Sequence, residues 1–257
     1  MIDRRGVTAD IRKRYNVVLR PEWLDRCADH IKAELERQNV SATHTLHLEA
    51  QTRLVIEQLL HSDISESCFP TLITDGNSNQ VSKLPDGSGV LLQIQEIMDV
   101  GVSKHAMWEA IREKEDFEQR GIRPSYLPVL EDEDNNGVFA ANTQSTAAQP
   151  PATEASEAQG ERKPKIPHSM LKLVLSDGCS RIHAIEQTPI PQLSVELPVG
   201  TKVVVRSGKF LQPTNILCLD AQNIQVLGGT PAQYQQFTLR SRLEGALRVE
   251  RTAAAAR

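Results

Sequence analysis

Gly89-Val90-Leu91-Leu92-Gln93-Ile94-Gln95-Glu96-Ile97-Met98 and Met170-Leu171-Lys172-Leu173-Val174-Leu175-Ser176-Asp177-Gly178 decide how this chain is read. Both are short, apolar and extended in character, and both are bounded by turn chemistry: Pro85-Asp86-Gly87-Ser88 before the first and Ser176-Asp177-Gly178 ending the second. They read as the first two strands of one small β-barrel. The sequence between them, 103–167, is too long for an ordinary connection within a compact domain, so it is expected to carry function or to be disordered.

Downstream, strands are expected at 180–187, 202–207 and 215–227, the last interrupted near Asp220-Ala221. Pro189-Ile190-Pro191 and Leu197-Pro198-Val199-Gly200 mark turns between them. No helix of crossover length separates consecutive strands after 170, which favours a five-stranded OB-type barrel over a parallel α/β sheet.

Upstream of the barrel the apolar period is helical. Arg20-Pro21-Glu22-Trp23 opens a helix, with Pro21 in the first turn where its missing N–H costs nothing. Trp23, Leu24, Cys27, Ile31 and Leu35 form one stripe, and Asn39 closes the segment. A second helix is expected over His47–His61 and a short third within Ser65–Ile73. The expected architecture is therefore α+β: an N-terminal three-helix domain (1–85), a barrel (86–229) with its insertion loop at 103–167 between strands 1 and 2, and a C-terminal helix and tail (230–257).

Within the insertion, Lys104 to Gln119 reads as a charged helix with Met107, Trp108, Ile111 and Phe117 along one side. Arg123-Pro124-Ser125-Tyr126-Leu127-Pro128 is extended and apolar between prolines. From Glu131 to Lys165 the chain lacks the apolar residues that offset ordering entropy, which predicts disorder.

Composition narrows the function. The 257 residues are 39% hydrophobic but only 4% aromatic, with a formal net charge of −4, so nothing global pulls the chain toward nucleic acid. The four cysteines form no Cys-x-x-Cys pair and read as buried, reduced thiols of an intracellular protein. Met1-Ile2-Asp3-Arg4-Arg5 precedes no apolar signal region, and no run approaches membrane-spanning length, so a soluble protein without membrane contact is expected.

Motifs for a serine-hydrolase elbow, P-loop, dinucleotide fold or zincin helix are missing. His44 and His47 lack further ligands, Glu131-Asp132-Glu133-Asp134 reads as solvated charge, and His183 falls on the polar face of its strand. An enzyme, a cofactor and a metal are not expected. The barrel strands also lack stacking rings apart from Phe210, although Lys172, Arg181, Lys202, Arg206 and Lys209 supply charge, so single-strand recognition by the barrel is the weaker reading.

Several segments, in order, resemble the N-terminal region of the RecQ-mediated genome instability protein 1 family, the OB-fold partner of type IA topoisomerase III. They are Pro21-Glu22-Trp23-Leu24-Asp25-Arg26-Cys27, Leu92 to Val100, Met170 to Gly178, Glu186-Gln187-Thr188-Pro189-Ile190-Pro191, Leu197-Pro198-Val199-Gly200-Thr201-Lys202 and Asn223-Ile224-Gln225-Val226-Leu227-Gly228-Gly229. The insertion falls in the same place. Met107-Trp108-Glu109-Ala110-Ile111-Arg112 is more similar to this branch than to the tudor-domain partner of topoisomerase III beta. The sequence stops soon after the barrel, so the second OB domain of longer members is not expected.

The resemblance implies a nuclear, non-catalytic scaffold in DNA replication, repair and homologous recombination. It would join topoisomerase III and a RecQ-family helicase, admit a second OB-fold subunit, and touch DNA weakly or indirectly. The assembly would dissolve double Holliday junctions and decatenate DNA, with the insertion reaching the topoisomerase gate. The expected partner-binding residues are Met107, Trp108, Ile111, Arg112, Tyr126, Leu127 and Lys202. The alternatives are a single-stranded nucleic-acid-binding OB-fold protein, the tudor-type partner, and a metal-dependent hydrolase using the acidic loop.

Overall fold

The computed structural model describes residues 2–37, 47–72, 81, 83–85, 89–120 and 165–255. The chain divides into two compact units, one comprising Met1–Trp108 with Pro167–Arg257 and the other Glu109–Ile166.

In the larger unit, four helices precede the first strand: α1 (Arg4–Tyr15), α2 (Pro21–Arg37), α3 (Leu48–His61) and α4 (Ile64–Ser67). The expected three helices thus become four. The addition is α1, whose sequence is mostly charged and buries Val7 and Ile11. Two inward residues give too thin a stripe for periodicity to reveal. Asp3 caps this helix by accepting from the Gly6 N–H at 3.1 Å. The predicted third helix is a single turn because Cys68 leaves it to form an antiparallel bridge with Leu19.

Helices α1 and α2 pack on α3. Val7, Ile11, Val17, Trp23, Leu24, Ile31, Val55, Leu59 and Ile64 share one buried cluster with Leu91 and Val204 of the sheet. Each large aliphatic side chain so buried contributes roughly 1.5–3 kcal/mol. The expected boundary near residue 85 is therefore no break in packing, since helices and sheet close over the same core.

The strands are β1 (Val90–Asp99), β2 (Leu171–Ser176), β3 (Arg181–Glu186), β4 (Lys202–Val205), β5 (Phe210–Leu211), β6 (Ile216–Leu219) and β7 (Ile224–Gly228). They form one sheet in the order β5-β6-β3-β2-β1-β4-β7, with β3 and β6 parallel and the other pairs antiparallel. Seven strands replace the expected five. The predicted 215–227 strand breaks where Asp220 accepts from the backbone of Gln222 and Asn223, and the short β5 pairs alongside β6.

Strand β1 is buried along most of its length, lying between β2 and β4 with Leu91 in the helical cluster. The β1–β2 register slips between Ile94 and Glu96, a bulge in the strand that leads to the insertion. At the β2–β3 turn Gly178 has φ +97°, and a Cβ there would meet the Ser65 backbone of α4 at 2.6 Å. In the same turn Asp177 accepts from the Thr71 and Leu72 N–H groups at 2.9 and 2.8 Å, tying the segment after α4 to the sheet.

Beyond β7 the predicted continuous helix is a short 3₁₀ turn, Ala232–Tyr234, followed by α6 (Leu239–Ala255). The smaller unit contains residues 109–120 of α5 (Lys104–Arg120), a helix that crosses the division between units. Among the described residues no helix is long and apolar enough to cross a membrane. Cys27, Cys68 and Cys218 are buried and Cys179 is exposed, all as free thiols, which corrects the expectation of four buried cysteines. Burial pushes Cys27 and Cys68 up to about 11.

Candidate functional site: the root of the insertion

The insertion leaves β1 at Asp99 and re-enters at β2, and one carboxylate holds both ends. Asp99 is only 2% exposed. Its Oδ1 accepts from the N–H groups of Gly101 (2.9 Å), Val102 (3.1 Å) and Met170 (3.4 Å), and its Oδ2 accepts from Ser169 at 2.6 Å. Outgoing and incoming chains are thus hydrogen-bonded to the same side chain. The Val100 N–H donates to the Met170 carbonyl at 2.9 Å, closing the neck.

A second buried acid supports the return strand. Glu186 Oε2 accepts from Leu171 N–H at 3.1 Å and lies 3.0 Å from His168 Nε2, while Oε1 accepts from Ile190 N–H at 2.6 Å. Val100 and Met170 remain exposed on the outside of this neck.

Ser103 starts α5, its hydroxyl accepting from the Ala106 N–H at 3.1 Å. Met107 is 1% exposed and Ile111 6%, so these two expected anchors are buried within the chain. Trp108 is half-buried, and the Arg240 guanidinium of α6 lies 5.2 Å from the ring centroid, a contact worth roughly 0.5–1 kcal/mol. Arg112 is exposed. Tyr126 and Leu127 lie outside the described residues, as do His44, Asn39, Phe117's neighbours from residue 121 onward and the acidic run 131–134.

Helix α6 is fastened by Arg242. Its guanidinium donates to the carbonyls of Ile97 at 2.9 Å and Val195 at 2.8 Å, and burial lowers its pKa. The end of β1, the start of α5 and the first turn of α6 therefore meet at one place in the larger unit.

Lys202, expected as a partner contact, does not lie at the surface. It is 0% exposed, and its Nζ donates to the Gly200 carbonyl at 3.1 Å. Position 202 begins β4 between β1 and β7, where the strand's inward face swallows even a lysine. Burial drives its pKa down to about 8, against the opposing pull of Asp63 and Cys68. Asp63 in turn caps α4 and accepts from Ser65 N–H (2.9 Å), Ser65 hydroxyl (2.7 Å), Gln233 Nε2 (2.6 Å) and Tyr234 hydroxyl (2.9 Å).

Sequence reasoning missed Asp99, Glu186, Arg242 and Asp63 as positioning groups. An acid closing an apolar strand and followed by Val-Gly was the available signal for Asp99, since a short carboxylate commonly captures N–H groups two and three residues on. His183 is exposed, as its strand position predicted. Among the described residues no cluster of His, Cys, Asp and Glu has metal-binding geometry.

The model of the RMI1 N-terminal OB-fold domain matches residues 37–242. The chain belongs to this family. Its sheet, with the insertion rooted between β1 and β2, is therefore the OB fold expected from the sequence, and the α+β class stands. Named relatives are RecQ-mediated genome instability protein 1 of Danio rerio, 26% identical over 92% of this chain, and of Mus musculus, 28% identical over 84%. The chain spans 38% and 28% of those two relatives' lengths. The Schizosaccharomyces pombe protein of the same name is 23% identical, with 86% of each chain covered.

Proposed function

We propose that this chain is a non-catalytic subunit of a nuclear assembly of topoisomerase III and a RecQ-family helicase, serving genome stability in replication, recombination and repair. Within it, the OB domain is a mount, and the insertion engages the topoisomerase gate and stimulates decatenation and double Holliday junction dissolution. The family match over 37–242 carries this reading. It is supported by the construction of the root, where a single buried carboxylate and the Arg242 clasp give the insertion a fixed point of departure. A gate-binding segment shifts opening only by its differential affinity for the open and closed states, and a fixed base reduces the freedom lost on engagement. A second OB-fold subunit and direct DNA contact by the barrel are not needed for this role.

Deleting 121–164 while keeping the Asp99 clamp and α5 tests it. The shortened chain should fold and lose stimulation of topoisomerase III decatenation. Undiminished stimulation by the deletion variant would overturn the role given to the insertion.

A further inference from the structure

The insertion is not the only surface with a distinctive chemistry. Between α1 and α2 lies an open groove of about 890 Å³, lined by Arg4, Arg5, Thr8, Arg12 and Lys13 on one wall and by Pro21, Leu24 and Asp25 on the other. It precedes the residues matched by the family model. We propose that this groove binds the sugar-phosphate backbone of single-stranded DNA.

Positive charge is concentrated on one helix. Helix α1 has five cations (Arg4, Arg5, Arg12, Lys13, Arg14) against Asp10, in a chain whose formal net charge is −4. Basic side chains in the last turn complement the negative end of a helix, which accounts for Arg12, Lys13 and Arg14. At the opposite, positive end the Asp3 cap satisfies the dipole and Arg4 pairs with Asp25, whereas Arg5 is answered by no acid of the first turn and stays open to an external anion.

The geometry suits a row of phosphates. Arg4, Thr8 and Arg12 follow one another at four-residue steps, and Arg5, Ala9 and Lys13 form the adjacent row. At the helical rise each row runs about 12 Å, the axial length of about three phosphates on one strand. Arg4 is held only by an exposed ion pair to Asp25 at 2.9 Å, which a phosphate can displace. Arg5 and Arg12 are exposed and have no acidic partner among the described residues.

Cations occupy one wall, while the other is apolar apart from Asp25. That one-sidedness favours a single strand over a duplex laid across both walls. The groove contains no ring on which a base stacks, so binding is predicted to ignore sequence and to follow salt steeply. An acidic peptide is the less favoured occupant, because the deepest apolar residues, Leu19 and Leu24, are already buried and leave no pocket for anchoring side chains.

The test uses the intact chain and a labelled mixed-sequence oligonucleotide, read by fluorescence anisotropy from 50 to 200 mM salt. The variant R5A/R12A/K13A keeps α1 helical, and thermal melting checks that the fold survives. It is expected to bind single-stranded DNA at least tenfold more weakly at low salt, with the log–log salt slope shallower by about 2. The barrel variant K172A/R181A/K209A removes the same charge elsewhere and should bind as the parent does. Equal losses in the two variants, tighter binding of a duplex of the same length, or stronger capture of a poly-glutamate peptide than of DNA would each overturn the proposal. Topoisomerase III stimulation is measured separately, so failure here leaves the gate role standing.

Discussion

Asp99 and Asp63 are both buried carboxylates that gather hydrogen bonds, but they do so over different reaches of the chain. Asp99 accepts four backbone N–H groups from the two ends of one insertion and nothing from a side chain. Asp63 joins α4 to the turn after β7 through Ser65, Gln233 and Tyr234, and stands in the field of the interior Lys202. The first organises a loop root near solvent, where water can replace a lost partner. The second joins the helical layer to the C-terminal segment and offsets the charge of Lys202, which water does not reach. Stability is thus concentrated at Asp63 and placement of the insertion at Asp99, which lets the insertion vary without unfolding its mount.

The sharpest way to break this contrast is Asp63→Ala. It leaves the buried Lys202 ammonium without the carboxylate that offsets it and removes the acceptor shared by Ser65, Gln233 and Tyr234, and we expect a loss of about 3 kcal/mol in urea unfolding. The same carboxyl sets an acid limit. Burial raises its pKa, but the Ser65 and Tyr234 hydrogen bonds outweigh that and hold it below the ordinary 3.8. Its stabilisation is complete above that value and is lost as pH falls through the lower folded one. A loss in Asp63→Ala no larger than that of an exposed substitution would erase the distinction.

Asp99→Ala should cost less, about 1–2 kcal/mol, because Gly101, Ser169 and Met170 lie at the surface and rehydrate. Its signature is local. Amide exchange at 100–103 and 169–171 should accelerate while the β3 and β4 amides keep their protection. Stimulation of topoisomerase III should fall further than the modest stability loss explains. Exchange that accelerates throughout the sheet would instead make Asp99 a second Asp63.

How much of this was readable beforehand follows the same division. The stripe of Trp23, Leu24, Cys27 and Ile31, the apolar run of β1 and the Pro-Gly turns declare themselves because burial there is periodic or continuous. Helix α1 was not legible, since its two inward residues are outnumbered by charges that serve its outer face. The break between β6 and β7 was legible at Asp220-Ala221, where side-chain hydrogen bonds make the turn, whereas the two-residue β5 is too short to leave a pattern. At the site, Trp108 was legible from its place on the apolar side of a helix, whereas its contact with Arg240 and the clamp at Asp99 depend on segments distant in sequence. Lys202 was misjudged for a related reason: a lysine at a strand start reads as solvated unless the neighbours that cover it are known.

Lys202 gives the smallest effect and the finest test of the comparison. Its pKa falls from 10.5 to about 8 on folding, so between those values the unfolded chain binds the extra proton. Stability therefore rises with pH across that window, by about 3 kcal/mol at most, and below pH 8 the cost of the buried charge is fully present. Lys202→Met removes the cost but also the Gly200 hydrogen bond and the attraction to Asp63, leaving a net gain on the order of 1 kcal/mol at pH 7. The decisive reading is the slope: the parent's stability should climb from pH 8 to 10.5 and the variant's should not. Partner stimulation should survive in the variant, because the ammonium is interior, and a selective loss of stimulation with the fold intact would return Lys202 to the interface. A parallel pH slope in both proteins would show that the charge beside Asp63 is carried by another group, and the contrast with the Asp99 clamp, which gathers backbone N–H groups, would go with it.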